Sequence, residues 1–216
     1  MKTMILNSDF DVVVVANGLF PEKEELRQII RTAPLLVCCD GAASSLLMHG
    51  IKPHYVVGDL DSIPPTIKQL WSDIIVHIPD QDTNDLTKAV EFSVKKMCKK
   101  MLILGAGGLR EDHALANISL LHFYLPKLDH VTMVSDFGTF TPIVSTTDFK
   151  AWKGQQVSIF SMTYDCIIST KGLKYPIQSR KLSSWWKGTL NEAEGNVFTI
   201  ELETEGRIIV YQCFEP

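Results

Sequence analysis

The chain lacks a disulfide framework. Its 216 residues include five cysteines, Cys38, Cys39, Cys98, Cys166 and Cys213, an odd number with no C-x-x-C pair. That argues against a stapled secreted domain or a zinc site, and for a reducing compartment, the cytoplasm. It also lacks a long apolar run. Val12–Ala16 is short and preceded by Asp9 and Asp11, so neither a signal peptide nor a membrane-spanning helix is expected. Nor is there an excess of positive charge. Lys and Arg number 21 against 25 Asp and Glu, for a net charge of −4. Nothing in that balance suggests nucleic acid or an anionic membrane as partner. The basic cluster Lys95, Lys96, Lys99 and Lys100 falls at the end of an expected helix, where cations complement the dipole. What remains is an ordinary globular composition, 45% hydrophobic and 21% charged. The length suits one large domain or two small ones with a sizeable core.

The first two thirds alternate short apolar runs with segments of helical period. Strands are expected at Asp11–Ala16, Leu35–Cys39, His54–Val57, Ile74–Ile78, Met101–Leu104 and His130–Val134. Helices are expected between them, opened by Pro21, Pro65, the Asp80–Asp85 stretch and Asp112. This alternation predicts an α/β domain, a mostly parallel sheet with helices on both faces. From about Val144 the pattern changes to short strands at Val157–Phe160, Ile167–Thr170, Lys181–Trp185, Val197–Leu202 and Arg207–Phe214. A small antiparallel β-sandwich is expected there, with Trp185 and Trp186 facing opposite ways on a strand. The boundary is expected near Pro142–Lys150, giving domains 1–143 and 144–216.

Polar residues gather where the expected parallel strands end. Gly58-Asp59-Leu60-Asp61-Ser62 follows the third strand. In extended chain the two carboxylates lie on one side, about 6.6 Å apart at roughly 3.3 Å per residue. At an effective dielectric near 20 they repel by roughly 2.5 kcal/mol. A divalent cation turns that cost into attraction, and hard oxygen ligands suit Mg²⁺. The alternative is a plain turn with Asp and Ser caps ahead of the Pro64-Pro65 helix.

Asn17-Gly18, Asp40-Gly41, Asp80–Asp85 and the Gly105–Asp112 loop follow four other strands. In an open α/β sheet these ends form one rim, the usual location of ligands. Asp82 and Asp85 also fit a helix cap with an acidic residue in the first turn. Gly105-Ala106-Gly107-Gly108-Leu109-Arg110 is neither a dinucleotide fingerprint nor a P-loop. It still offers unobstructed backbone amides at a helix N-terminus, and Arg110 adds a planar fork for phosphate oxygens. Carboxylates, glycine amides and an arginine are the parts phosphoryl-type transfer requires.

Taken in order, these segments resemble the thiamine pyrophosphokinase (thiamin diphosphokinase) family. Cys39-Asp40-Gly41-Ala42-Ala43, Gly58–Ile63, Asp80–Asp85 and Gly105–His113 with Ala116-Asn117 resemble its N-terminal motifs. Lys171–Pro176 and Gly188–Glu192 resemble its C-terminal ones. The resemblance implies Mg²⁺-dependent transfer of pyrophosphate from ATP to the hydroxyl of thiamine, giving AMP and thiamine diphosphate. It implies a homodimer, with Mg-ATP on the α/β domain and the β-sandwich serving thiamine binding and dimerisation. By position, Asp59, Asp61 and Asp85 would hold Mg²⁺ and the triphosphate and act catalytically. Asp40, Gly41, Gly105, Gly107, Gly108, Arg110, Asp112 and His113 would shape the nucleotide site. Gln81, Thr189 and Asn191 would contact thiamine. Asn84, Leu109 and Leu190 depart from the family's common threonine, glycine and serine.

Overall fold

The computed structural model describes residues 9–214. The outer ends of the two expected domains, 1–8 and 215–216, lie outside the described residues. The chain divides into two compact units. One runs to Leu120 and includes Pro126–Asp136; the other comprises Leu121–Leu125 and the chain from Phe137 on.

The first unit contains β1 (Val12–Val15), α1 (Glu24–Arg31), β2 (Leu36–Cys39), α2 (Ala43–Met48), β3 (Tyr55–Gly58) and α3 (Pro65–Leu70). These are followed by β4 (Ile75–His77), α4 (Asp85–Lys95), β5 (Lys100–Leu104), most of α5 (Glu111–Tyr124) and β6 (His130–Val134). The strands pair in parallel in the order β6-β5-β1-β2-β3-β4. β1, β2 and most of β5 are wholly buried, as their unbroken apolar runs require. Chain order runs outward from β1 to β4, then returns through α4 to β5 on the other side of β1. Right-handed crossovers therefore put α1–α3 on one face and α4–α5 on the other. The reversal of order between β1 and β5 is a topological switch point, where loops diverge and leave a crevice at the strands' carboxyl ends.

The second unit contains β7 (Gly138–Ile143), β8 (Thr147–Lys150), β9 (Gln156–Ser161), β10 (Ile167–Lys171), β11 (Arg180–Lys181), β12 (Asn191–Glu192), β13 (Val197–Leu202) and β14 (Ile208–Cys213). Two antiparallel sheets form, β12-β9-β14-β7 and β11-β10-β13-β8. Their inner faces share one core. Val157, Ile159, Ile208 and Val210 come from the first sheet, and Phe149, Ile168, Phe198 and Ile200 from the second. Phe149 and Phe198 stack at 5.0 Å between ring centroids. On β13 the buried Phe198 and Ile200 alternate with more exposed neighbours, as the period-2 pattern requires.

Two local expectations change. The compact unit starts at Phe137, ahead of the 143/144 boundary, because β7 pairs with β14 along its whole length. Gly138 and Pro142 disguise that strand, since both residues read as strand breakers. The strand expected at Lys181–Trp185 is cut short at Lys181, and Trp185–Gly188 forms a 3-10 turn. The turn is pinned against β9: Trp185 Nε1 donates to the Ser161 carbonyl at 3.1 Å, while Trp186 stays exposed. The two tryptophans therefore do not face opposite sides of a sheet.

Candidate active site

The loops at the carboxyl ends of β1, β3 and β5, together with the start of α4, surround a cleft of about 520 Å³. Backbone packing draws these loops together. The Gly18 N–H donates to the Gly105 carbonyl at 2.6 Å, and the Leu19 N–H to the Gly107 carbonyl at 2.8 Å. Gly105 has φ +65°, and a Cβ there would stand 2.7 Å from the Ala16 carbonyl oxygen. Only glycine meets both conditions without strain.

Three carboxylates meet at one side. One oxygen each from Asp40, Asp59 and Asp85 lies within 4.8 Å of the others. Register explains the first pair. Cys39 is opposite Val57 in the β2–β3 ladder, so Asp40 emerges beside Gly58 and Asp59 just beyond. Gly58 has no side chain, and Asp40 fills that space: a Cβ on Gly58 would stand 2.7 Å from Asp40 Cγ. The third carboxylate depends on how α4 is capped. Asn84 is the N-cap, its side-chain oxygen accepting from the Thr87 N–H at 2.9 Å. Asp85 is thereby left to face the cluster, so capping by Asp82 or Asp85 is not what this helix uses. Asparagine does here what threonine can also do.

Asp61 does not join them. Leu60 sits at φ +72°, in the left-handed region, so the Asp59–Asp61 segment is not extended. The Asp61 N–H turns back to Asp59 Oδ1 at 3.2 Å, and the Asp61 residue is exposed. The carboxylate partner of Asp59 is thus Asp40 from the neighbouring strand, not Asp61 two residues on. Of the plain-turn alternative the turn itself is present, as the Asx-type contact from the Asp61 N–H to Asp59, but neither Asp nor Ser caps α3, whose N-cap is Pro64 with no side-chain hydrogen bond.

The residue that sequence reasoning missed is Lys88. Its side chain is 2% exposed, with Nζ 3.0 Å from Asp59 Oδ2 and 3.1 Å from Asp85 Oδ1. The available signal was Asp85-x-x-Lys88, which puts both on one helix face. Burial alone would push the Lys88 ammonium down, but hydrogen bonds to Asp59 and Asp85 outweigh it and its pKa is raised. The same contact is the main reason the Asp59 carboxyl titrates below its ordinary range. Asp40 is raised instead, first by burial and then by the Asp85 charge, against backbone hydrogen bonds from Gly41 and Ser62. Crowded hard-oxygen donors with one carboxylate disfavoured as an anion are a donor set that a divalent cation would satisfy.

Gly107, Leu109, Arg110 and His113 line the same cleft as Asp59 and Asp85, whereas the buried Asp40 does not. Arg110 pairs with Asp112 at 2.6 Å, which holds that carboxyl down at about 2. Both are exposed, with the guanidinium on the cleft wall. Asn117 ties the two sides together. Its Nδ2 donates to the Ala106 carbonyl at 2.9 Å, and its Oδ1 accepts from Asn84 Nδ2 at 3.3 Å. Gln81 points its amide at Asp59 Oδ2, 3.3 Å away. Gly41 does not line the cleft; its N–H donates to Asp40 Oδ1 at 2.6 Å.

Thr189 and Asn191 belong to the second unit. Asn191 is buried, and its amide is committed to its own surroundings. It accepts from the Tyr175 and Glu192 N–H groups at 3.1 and 2.9 Å and donates to the Tyr175 carbonyl at 2.8 Å. Thr189 Oγ1 donates to the Trp186 carbonyl at 2.8 Å. Leu190 between them has φ +60° and is exposed. Asn191→Ala strips partners from Tyr175 and is expected to destabilise the protein by about 1–3 kcal/mol. Urea unfolding checks this: a midpoint equal to that of the unsubstituted protein would show that these bonds contribute nothing.

The family model "Thiamin pyrophosphokinase, catalytic domain" matches residues 26–133, and "Thiamin pyrophosphokinase, substrate-binding domain" matches residues 138–211. Thiamine pyrophosphokinase 1 of Oryza sativa subsp. japonica is 33% identical over 135 residues, covering 51% of this chain and 50% of its own length. Thiamin pyrophosphokinase 1 of Caenorhabditis elegans is 28% identical over 165 residues, covering 68% and 65%. The chain thus spans about half to two thirds of the length of these curated relatives. The solved thiamine pyrophosphokinase of Bacillus subtilis shares the fold, with a TM-score of 0.79 at 22% identity over 95% of this chain and 100% of its own. The Candida albicans structure gives 0.78 at 16% identity, over 98% and 96%.

Proposed function

Since the chain belongs to the thiamin pyrophosphokinase family across both matched segments, we propose that it transfers pyrophosphate from ATP to thiamine. The products are AMP and thiamine diphosphate. The observation that carries this reading is one cleft at the switch point, lined both by Asp59 and Asp85 of the carboxylate cluster and by the glycine turn with Arg110.

In this reading Asp59 and Asp85, joined by Asp40, would hold Mg²⁺. With that ion bound, the charge that develops on the departing AMP phosphate is partly neutralised. The backbone N–H groups of Gly107 and Gly108, at the N-terminal end of α5, receive phosphate oxygens without side-chain obstruction. Arg110 turns its planar fork to the same oxygens, and Asp112 keeps that fork oriented. His113, farther along the wall, closes the nucleotide side. Asp61, exposed at the lip of the loop, contributes charge to the approach of the cation rather than a ligand. Gln81 contacts thiamine, and its amide beside Asp59 brings that contact close to the phosphates. Thr189 remains a proposed thiamine contact. Asn191 supports that end of the chain by shaping the segment around Tyr175. Catalysis then rests on alignment of the β-phosphorus with the thiamine hydroxyl and on charge neutralisation.

Incubation with thiamine and Mg-ATP tests the reading. AMP and thiamine diphosphate should appear together in equal amounts. AMP released equally well without thiamine would instead identify a nucleotide hydrolase. The reading also carries a homodimer, so light scattering should give twice the 24.2 kDa chain mass. A cytoplasmic location accords with the five cysteines, all free thiols.

A further inference from the structure

Lys88 has no role in the reaction as read above, yet its placement is costly. It stands in the first turn of α4, three residues after Asp85. A cation there opposes the helix dipole, whose N-terminal end is positive. Its side chain is 2% exposed, and lysine is almost never so buried unless paired. Two ion pairs offset these costs, one to Asp59 at the end of β3 and one to Asp85 at the start of α4. The ammonium therefore bridges carboxylates carried by two different elements. If a bound cation ionised all three carboxylates, this one ammonium would leave two negative charges, the balance of a single divalent ion.

We propose that Lys88 is a positioning residue, a built-in counter-ion. It holds Asp59 and Asp85 at the spacing a divalent cation requires and limits the carboxylate cluster to one such ion. The inference rests on the cation-binding reading of that cluster. A lysine that merely fills space would affect folding only. A counter-ion also weakens cation binding, because it shares the ligands. Its removal therefore has opposite effects on two measurements: lower stability without a divalent cation, and tighter binding of one.

The test uses the full chain without nucleotide or thiamine and Mn²⁺ as the probe. Calorimetry gives affinity and stoichiometry, and thermal melts in EDTA and in Mn²⁺ give stability. K88M is expected to bind Mn²⁺ at least about tenfold tighter than the unsubstituted protein. Its melting midpoint should fall in EDTA and recover in Mn²⁺ by more than that of the unsubstituted protein rises. K88R, which keeps the charge, should retain ordinary Mn²⁺ affinity. K88Q supplies the same comparison if K88M does not fold. Unchanged or weaker Mn²⁺ binding in the charge-removing variant overturns the proposal. Product formation by the unsubstituted protein is measured separately. If thiamine diphosphate forms but Mn²⁺ affinity does not rise in K88M, only this inference falls. If no thiamine diphosphate forms while K88M binds Mn²⁺ more tightly, the counter-ion role stands and the assigned reaction falls.

Discussion

Asp59→Asn is expected to lower turnover with thiamine and Mg-ATP by about 10²–10³-fold, the scale found when one preorganised electrostatic group is removed from an enzyme's transition-state site. Asp59 is the hub of the cluster. It accepts from Lys88, from Gln81 and from the Asp61 N–H, and its carboxylate lies beside those of Asp40 and Asp85. Asparagine preserves the shape but removes the charge, leaving Lys88 with Asp85 as its remaining ionic partner. The fold should survive, because Asp85 still pairs with the buried ammonium. Asp61→Asn makes the decisive contrast. Two residues away and outside the cluster, it should cost less than about tenfold, or about 1.4 kcal/mol of barrier. Saturating-Mg²⁺ turnover numbers for the two variants, with melting curves as the folding control, check the pair. Equal losses would mean that Asp61 is a ligand after all, and near-normal turnover in Asp59→Asn would remove Asp59 from the mechanism.

Gly58→Ala is expected to damage the site through backbone proximity alone. The new Cβ would stand 2.7 Å from Asp40 Cγ and 3.0 Å from its Oδ1. Asp40 is wholly buried at the start of a 3-10 turn, with its own oxygens accepting from the Gly41 and Ser62 N–H groups. It has little room to retreat, so the strand or the carboxylate must shift. Overpacking of this kind costs about 1–3 kcal/mol of stability. A displacement near 1 Å at a catalytic centre can cost about 10²-fold in rate. At this chain length each kcal/mol moves the melting midpoint by about 2–4 °C, so a folded variant should remain at 25 °C. Assay of that folded protein separates the effects. Loss of activity far beyond the unfolded fraction supports Asp40 as a working member of the cluster, and full activity would exclude it.

The parallel strands were legible because burial on both faces leaves runs such as Val12–Val15 with no polar interruption. The rim was legible too, since polar and glycine residues recur after five successive strands whose carboxyl ends an open α/β sheet brings to one edge. β7 was not legible, because its Gly138 and Pro142 are tolerated only through the partner strand β14. The pair Asp59 and Asp61 is not brought to the expected same-side spacing, for a local reason. The i, i+2 geometry assumes extended backbone, and Leu60 in the left-handed region removes that assumption. Lys88 escaped notice because an exposed helix lysine and a buried counter-ion are the same letter in a sequence. What separates them is the carboxylate arriving from β3, 29 residues away along the chain.

The sequence by itself therefore determined the α/β order, the β-rich C-terminal segment and the set of polar and glycine loops that follow the parallel strands. Those follow from periodicity and from turn chemistry, which act over a few residues. Tertiary structure alone decided which carboxylates meet, because the β2–β3 register and the missing side chain of Gly58 bring Asp40 to Asp59. It also decided that Asn84 caps α4 and leaves Asp85 and Lys88 to complete the cluster. Charges separated along the chain interact strongly only when the fold brings them within a few ångströms and removes the water between them.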